Sequence, residues 1–251
     1  MSISKTTWFV FVCVVTIMTL SVTAFEKPRN SEQPNHQSVG RVKPWRHDEA
    51  IKRYPVAEFE ESEPTDPAKQ MALKERKVRN NEHEFSQPSA DDGAIGWFPE
   101  KNLDFPALPI DQSDVILIGQ ILSAQAHRSE NKRGIFSEFE VRVDEVLKGP
   151  DPTVTAQAVI IVERTGGFLK YPNGRQVLFF VDGYGMPEVG ARNVLFLRIV
   201  GHGFKIVTVY ELSRNGVLPL DRGNQFRRFE GESERVFVNT LRESIVNARP
   251  Q

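Results

Sequence analysis

The sequence predicts a mainly β protein: a small antiparallel barrel or sandwich followed by a C-terminal amphipathic helix and preceded by a disordered tether. Three observations predict it. Short apolar runs alternate with turn residues between residues 114 and 211, a helical apolar period shows clearly only after Ser233, and residues 25–106 are dense in charge and proline. A length of 251 residues suits one or two domains, enough for a buried core. With 39% hydrophobic residues, 26% charged residues and a formal net charge of −1, the chain lacks the basic excess of a nucleic-acid binder.

The N-terminus carries Lys5, then an apolar run from Trp8 to Leu20 and the small-residue approach Ser21-Val22-Thr23-Ala24. That is the order of a secretory signal peptide, expected over residues 1–24 with cleavage after Ala24. The alternative is an uncleaved anchor, because residues 6–25 carry no charge. The single cysteine, Cys13, falls inside this segment. A mature chain would therefore have no disulfide, thiolate ligand or cysteine nucleophile, and its fold would rest on packing alone.

Residues 25–106 are expected to form a disordered, charged, proline-rich tether. A stretch such as Glu58-Phe59-Glu60-Glu61-Ser62-Glu63-Pro64 buries too little apolar surface to offset an ordering entropy of roughly 1–2 kcal/mol per residue. One island is expected to be helical: Asp66 caps, Pro67 suits the first position, and 68–79 are good helix formers. Its apolar stripe is thin (Met71, Leu73 and Val78), which favours a solvated helix over a groove-binding one. Two aromatic clusters interrupt the tether: Trp45 with Tyr54 and Phe59, and Gly96-Trp97-Phe98-Pro99 with Phe105. Large aromatics in polar sequence usually have a contact to make. Trp45, Trp97 and Phe98 are the candidate partner-binding residues, the second cluster either packing on the adjacent domain or serving as a short recognition motif.

Residues 107–222 carry the barrel. The run Val115-Ile116-Leu117-Ile118 reads as a buried strand within 114–124, and 136–147 alternates Phe139, Val141 and Val143 with Glu140, Arg142 and Asp144, the period of a half-solvated strand. A polar hairpin loop, 128–134, joins the two. Further strands are expected at 159–164, 177–181, 194–200 and 205–211, separated by Gly166-Gly167, Pro172-Asn173-Gly174, Met186-Pro187, Gly201-His202-Gly203 and Asn215-Gly216. Residues 223–251 hold a helix capped by Ser233. Its apolar positions Phe237, Val238, Leu241, Ile245 and Val246 should pack on the barrel or plug its open end.

The strand Ser113-Asp114-Val115-Ile116-Leu117-Ile118-Gly119-Gln120-Ile121 and the strand Phe139-Glu140-Val141-Arg142-Val143-Asp144-Glu145-Val146-Leu147-Lys148-Gly149 carry a resemblance. They resemble the opening strands of the netrin-like, tissue-inhibitor-of-metalloproteinase-type OB barrel. Met186-Pro187-Glu188-Val189-Gly190 and Asn193-Val194-Leu195-Phe196-Leu197 are similar to the pattern in secreted bacterial proteins with such barrels. The resemblance covers residues 110–220 and implies an OB-like barrel as a binding scaffold, without assigning a ligand. The animal inhibitors use an N-terminal cysteine pair on the protease metal, which residues 25–251 do not supply, so metalloprotease inhibition is not implied.

Motifs of catalysis do not emerge. His36, His47, His83, His127 and His202 are scattered without metal-ligand spacing, and no Gly-x-Ser-x-Gly elbow occurs. His202, between two glycines, is expected to be a solvated turn residue, and Gly183-Tyr184-Gly185 a loop between strands. Asp144 and Glu145, adjacent on a strand, point to opposite faces and serve as edge solvation. Phe226-Arg227-Arg228-Phe229 with Arg235 interleaves aromatic and basic residues, and is expected to pack its rings and solvate its arginines rather than bind nucleic acid.

No catalytic, cofactor-binding or metal-ligating residue is therefore assigned, and no cofactor is expected. The function expected is a non-catalytic binding or interaction module, secreted or periplasmic, whose partner is another extracytoplasmic protein or an envelope polymer. Membrane attachment follows only if the N-terminal segment is retained. The alternative is an inhibitor or regulator of a secreted enzyme. An enzyme with a loop-built site would require a deep pocket with at least two converging polar side chains.

Overall fold

The computed structural model describes residues 54–82, 85, 95–98 (backbone only), 105–149 and 152–248. The expected signal segment and Trp45 lie outside the described residues. Among the described residues ten strands form: β1 (Val56–Glu58), β2 (Ile95–Phe98), β3 (Val115–Arg128), β4 (Ile135–Lys148), β5 (Val159–Thr165), β6 (Gly167–Lys170), β7 (Gln176–Val181), β8 (Arg192–Val200), β9 (Gly203–Ser213) and β10 (Gly216–Pro219). Two α-helices among the described residues, α1 (Pro67–Arg79) and α2 (Glu234–Asn247), accompany them.

β3, β4, β5, β9 and β8 pair in that spatial order, and β8 returns to β3, so the sheet closes into an OB-like five-stranded barrel. Every contact around it is antiparallel except β5 with β9, which run parallel and match only at Val162↔Phe204 and Glu163↔Lys205. β10 extends the far end of β9 as a hairpin. A second sheet, ordered β1-β6-β7-β2, lies beside the barrel.

Alternation explains the strands. In β4, Phe139, Val141 and Val143 enter the barrel while Glu138, Glu140 and Arg142 face outward. In β3 both faces are buried: Val115, Leu117 and Ile121 fill the barrel, whereas Ile116 and Ile118 join a second core outside it. That is why Val115–Ile118 reads as one apolar run rather than an alternation. The outer core is completed by α2, whose Phe237, Val238, Leu241 and Ile245 pack against Val194, Phe196 and Tyr210. The helix thus covers the barrel wall rather than its open end. Val246, expected on the apolar face, is 65% exposed. Phe226 and Phe229 are buried in the same core with Arg227 and Arg228 exposed, as expected.

Gly166-Gly167, expected as a breaker, instead carries the chain from one sheet into the other. Gly166 has φ +114 and Gly167 begins β6, where a Cβ would stand 2.8 Å from that of Ala126. β6 escaped sequence reading because four residues, two of them aromatic or aliphatic, are too few to show a period.

The tether expected over 25–106 is corrected where it is described. β1 pairs in parallel with β6 and buries Ala57, Tyr54 meets Phe168 edge-on, and Phe59 stacks on Tyr171 at 5.1 Å. β2 adds to β7 in parallel, with Trp97 opposite Phe180 and Phe98 opposite Val181. This strand pairing is what the structure gives of those two candidate residues. α1 forms as expected: the Asp66 carboxylate accepts from the amides of Ala68 (2.8 Å) and Lys69, and Pro67 takes the first turn. The segment orders because its charges find fixed partners on the barrel, an effect that composition does not register.

Candidate functional site

α1 is not held by an apolar stripe. Leu73 is its one buried residue, and Met71 and Val78 are exposed. It is held instead by an ionic seam along β3, β4 and β5. Arg76 Nε donates to Glu138 Oε1 at 2.6 Å, Lys77 Nζ meets Glu61 Oε2 at 2.7 Å, and Arg79 donates to Glu163. Asn80 Nδ2 adds a 2.8 Å bond to the other Glu163 oxygen. The seam is buried enough for charge to matter: Glu163 is 1% exposed.

His127 lies within this seam. Its Nδ1 meets Glu61, and its Nε2 stands 3.6 Å from Glu138 Oε2. Burial by itself would lower the imidazole pKa, but hydrogen bonding and charge from Glu138 and Glu61 outweigh it and raise the pKa to about 9. Burial likewise pushes Glu61 and Glu138 up, and hydrogen bonds from His127 and the α1 cations bring both below the ordinary carboxylate value. An imidazolium at neutral pH has no lone pair to act as a base, and here its charge faces the two carboxylates Glu61 and Glu138. His202, the histidine singled out by its flanking glycines, is exposed as expected.

The sign of the pH dependence follows. A histidine whose folded pKa is raised adds stability that is full below about pH 6.5 and is lost as pH rises through about 9. Carboxylates with lowered pKa add stability that is present above about pH 4.5 and is lost as pH falls through their folded values. Hydrogen-exchange protection of α1 amides, after correction for intrinsic exchange, is expected to peak between those limits. Protection that is flat from pH 6 to 9 would deny His127 this role.

α1 and the turn Asn80–Glu82 lie over the outer face of β4 and β5, between two loops. The β3–β4 loop is tied on by Glu130 N to Lys77 O (3.1 Å) and by Asn131 N to Asn81 Oδ1 (2.8 Å). At the β8–β9 turn, the Arg79 guanidinium occupies the place a side chain at Gly203 would take.

Next to the seam is a cavity of about 230 Å³. It opens because β5 and β9 diverge after Glu163↔Lys205, and its walls come from the residues that follow, Arg164, Thr165, Ile206 and Val207, with Tyr184, Arg198 and Phe105 around them. Arg164 follows Ile160 and Val162 on the core side of β5, so its guanidinium enters the end of the barrel with no side-chain exposure. There Nη2 donates to Asp221 Oδ1, which also accepts from Gly185 N at 3.0 Å, while Oδ2 accepts from Thr208 Oγ1 at 2.7 Å. Burial pushes the Asp221 carboxyl above its ordinary pKa, against the pull of Arg164.

Two nitrogens of Arg164, Nε and Nη1, have no hydrogen-bond partner among the described residues. A buried donor in that state costs about 1–3 kcal/mol. The Tyr184 ring lies 4.5 Å from Cζ and offsets part of this cost as a cation–π contact. Gly183-Tyr184-Gly185 is thus a loop between β7 and β8, as expected, and its tyrosine covers a buried charge. The period-two placement of Arg164 after Ile160 and Val162 was a visible signal for this site. Its partner Asp221, 57 residues away, was not.

The other expected polar residues resolve locally. Asp144 pairs with Arg192 at 3.0 Å and Glu145 with Arg242 at 2.7 Å, so both are partnered as well as solvated. Among the described residues no group of three His, Cys, Asp or Glu side chains is arranged to hold a metal ion, and no helix is long and apolar enough to cross a membrane. Trp45 lies outside the described residues, and Trp97 and Phe98 are placed by backbone pairing alone. No protein-family model and no curated protein matches this chain.

Proposed function

We propose that this chain is a non-catalytic binding module acting outside the cytoplasm, with a netrin-like OB barrel as its scaffold. The observation that carries the reading is the cavity between β5 and β9, lined by polar and apolar residues together and by Arg164, which is fully buried with two nitrogens unpartnered among the described residues. Its chemistry suits recognition. Arg164 and Arg198 are cations, Tyr184 and Phe105 present rings, and the carboxylate of Glu163 is already engaged by Arg79 and Asn80. Proton transfer needs a group free to exchange its proton near neutral pH, and these residues supply positive charge and surface instead. The strand order of the barrel supports an OB-like scaffold, and the Trp8–Leu20 run with its small-residue end supports export.

The β4–β5 face with its flanking loops is where OB barrels commonly take oligonucleotides and oligosaccharides. In this chain α1 occupies it, which supports a partner other than nucleic acid.

A fragment screen by ligand-observed NMR against the full chain, with mass spectrometry of the recovered fragments, tests the reading. Competing binders recovered unchanged are the expected result; conversion of a bound fragment to product would overturn it. Export is tested by N-terminal sequencing of the mature chain, expected to begin at Phe25.

A further inference from the structure

We propose that the cavity between β5 and β9 takes a small organic acid, its carboxylate received by Arg198 and Arg164 and its apolar body by Phe105, Tyr184 and Val207. This rests on the binding-module reading and names the ligand class.

Four observations lead to it. First, the charge left unmatched at the cavity is positive: Glu163 is held by Arg79 and Asn80, and Glu82 lies 3.1 Å from Lys205 Nζ. Arg198, exposed at the surface, makes only a long 3.5 Å bond to the Gln112 carbonyl among the described residues. Second, Nε and Nη1 of Arg164 together carry three N–H bonds with no acceptor among the described residues. Asp221 cannot turn to serve them, because its two oxygens are fixed by Arg164, Gly185 and Thr208. A planar carboxylate is the acceptor that a guanidinium matches best.

Third, while Asn80, Glu82, Glu163 and Thr165 make up the polar part of the wall, another part is apolar, with Phe105, Val200, Ile206 and Val207 beside Tyr184. Inorganic phosphate would leave these unused, whereas an acid with a ring or short aliphatic body would cover them. Fourth, about 230 Å³ equals roughly eight water molecules at about 30 Å³ each, room for a single ring and below the usual range for drug-sized ligands.

Tyr184 lines the cavity and is stacked on Arg164 at 4.5 Å, half buried. A shift of the ring opens Nη1 to the carboxylate, and the ligand body takes over the ring's contact with the cavity wall.

The test is a titration of the full chain with sodium benzoate, followed through arginine Nε–Hε and backbone amide NMR resonances. Benzyl alcohol, the same ring without the carboxylate, is the control. The expected result is saturable benzoate binding that shifts the Arg164 Nε–Hε resonance and the amides of Thr165, Tyr184 and Val207, with benzyl alcohol weaker by about tenfold or more. Arg198→Gln, an exposed substitution whose unfolding midpoint should match the parent chain, is expected to weaken benzoate by about tenfold. Equal affinity for benzyl alcohol would overturn the carboxylate assignment while leaving the cavity as a binding site. Benzoate shifts that appear elsewhere, or that Arg198→Gln does not affect, would overturn the site. Saturation by neither compound would overturn the inference, and the fragment screen would then decide the binding-module reading separately.

Discussion

Asp221→Ala is expected to lower the unfolding free energy by about 3–5 kcal/mol, because it strands the Arg164 guanidinium in the barrel with no counter-charge. The loss has two further components: Thr208 Oγ1 and Gly185 N each lose an acceptor in a site closed to water. Urea denaturation followed by far-UV circular dichroism reads the effect as a shift of midpoint at unchanged slope. Removing both charges should behave differently. In Arg164→Met/Asp221→Leu no buried ion remains, and such replacements are commonly neutral or stabilising by about 1–4 kcal/mol. A double variant as unstable as the single one would mean that the pair contributes more than its desolvation costs. A double variant near the parent would mean that the barrel retains the charge for reasons other than stability, in line with a guanidinium kept for a ligand.

Phe237→Ala is expected to cost about 3–5 kcal/mol and to detach α2 from the barrel wall. The Phe237 ring is fully buried, with its centroid 4.9 Å from Tyr210 and 5.1 Å from Phe229. Its removal opens a cavity at the centre of the outer core, where α2, the turn Phe226–Phe229 and β9 meet. Val246→Ala on the same helix is the internal control. At 65% exposure it should change stability by no more than about 0.5 kcal/mol. Hydrogen exchange along Glu234–Asn247 distinguishes the outcomes: α2 amides should lose protection in Phe237→Ala and keep it in Val246→Ala. Equal protection in both would mean that α2 is secured by its ion pairs, Arg192 with Glu234 and Arg242 with Glu145, rather than by its ring.

Where local pattern and final environment coincide, the sequence is a good guide. Phe139, Val141 and Val143 alternate with charges because one face of β4 fills the barrel, while the other carries Glu140, Arg142 and Asp144 at the surface. Asp66-Pro67 starts a helix in the chain as it does on paper, since a cap is satisfied within its own first turn. Legibility fails where partners are distant in sequence. Glu58–Glu63 reads as solvated acid, yet Glu61 meets His127, 66 residues away, and Lys77 on α1. His127 had less to recommend it than His202 as long as the carboxylates on either side of it were unknown.

By itself, then, the sequence determined the local architecture: a β-rich chain, six strands with their turns, the caps of both helices, and the apolar face of α2. Each depends on residues within a few positions of one another, which periodicity and capping chemistry report directly. Tertiary structure decided the rest. Closure of β8 onto β3, the sparse parallel match of β5 with β9 that opens the cavity, the meeting of Arg164 with Asp221, and the docking of α1 through Glu61, Glu138 and Glu163 all depend on distant pairings. A charge is solvated or buried according to what folds against it, and composition records the charge without recording that neighbour.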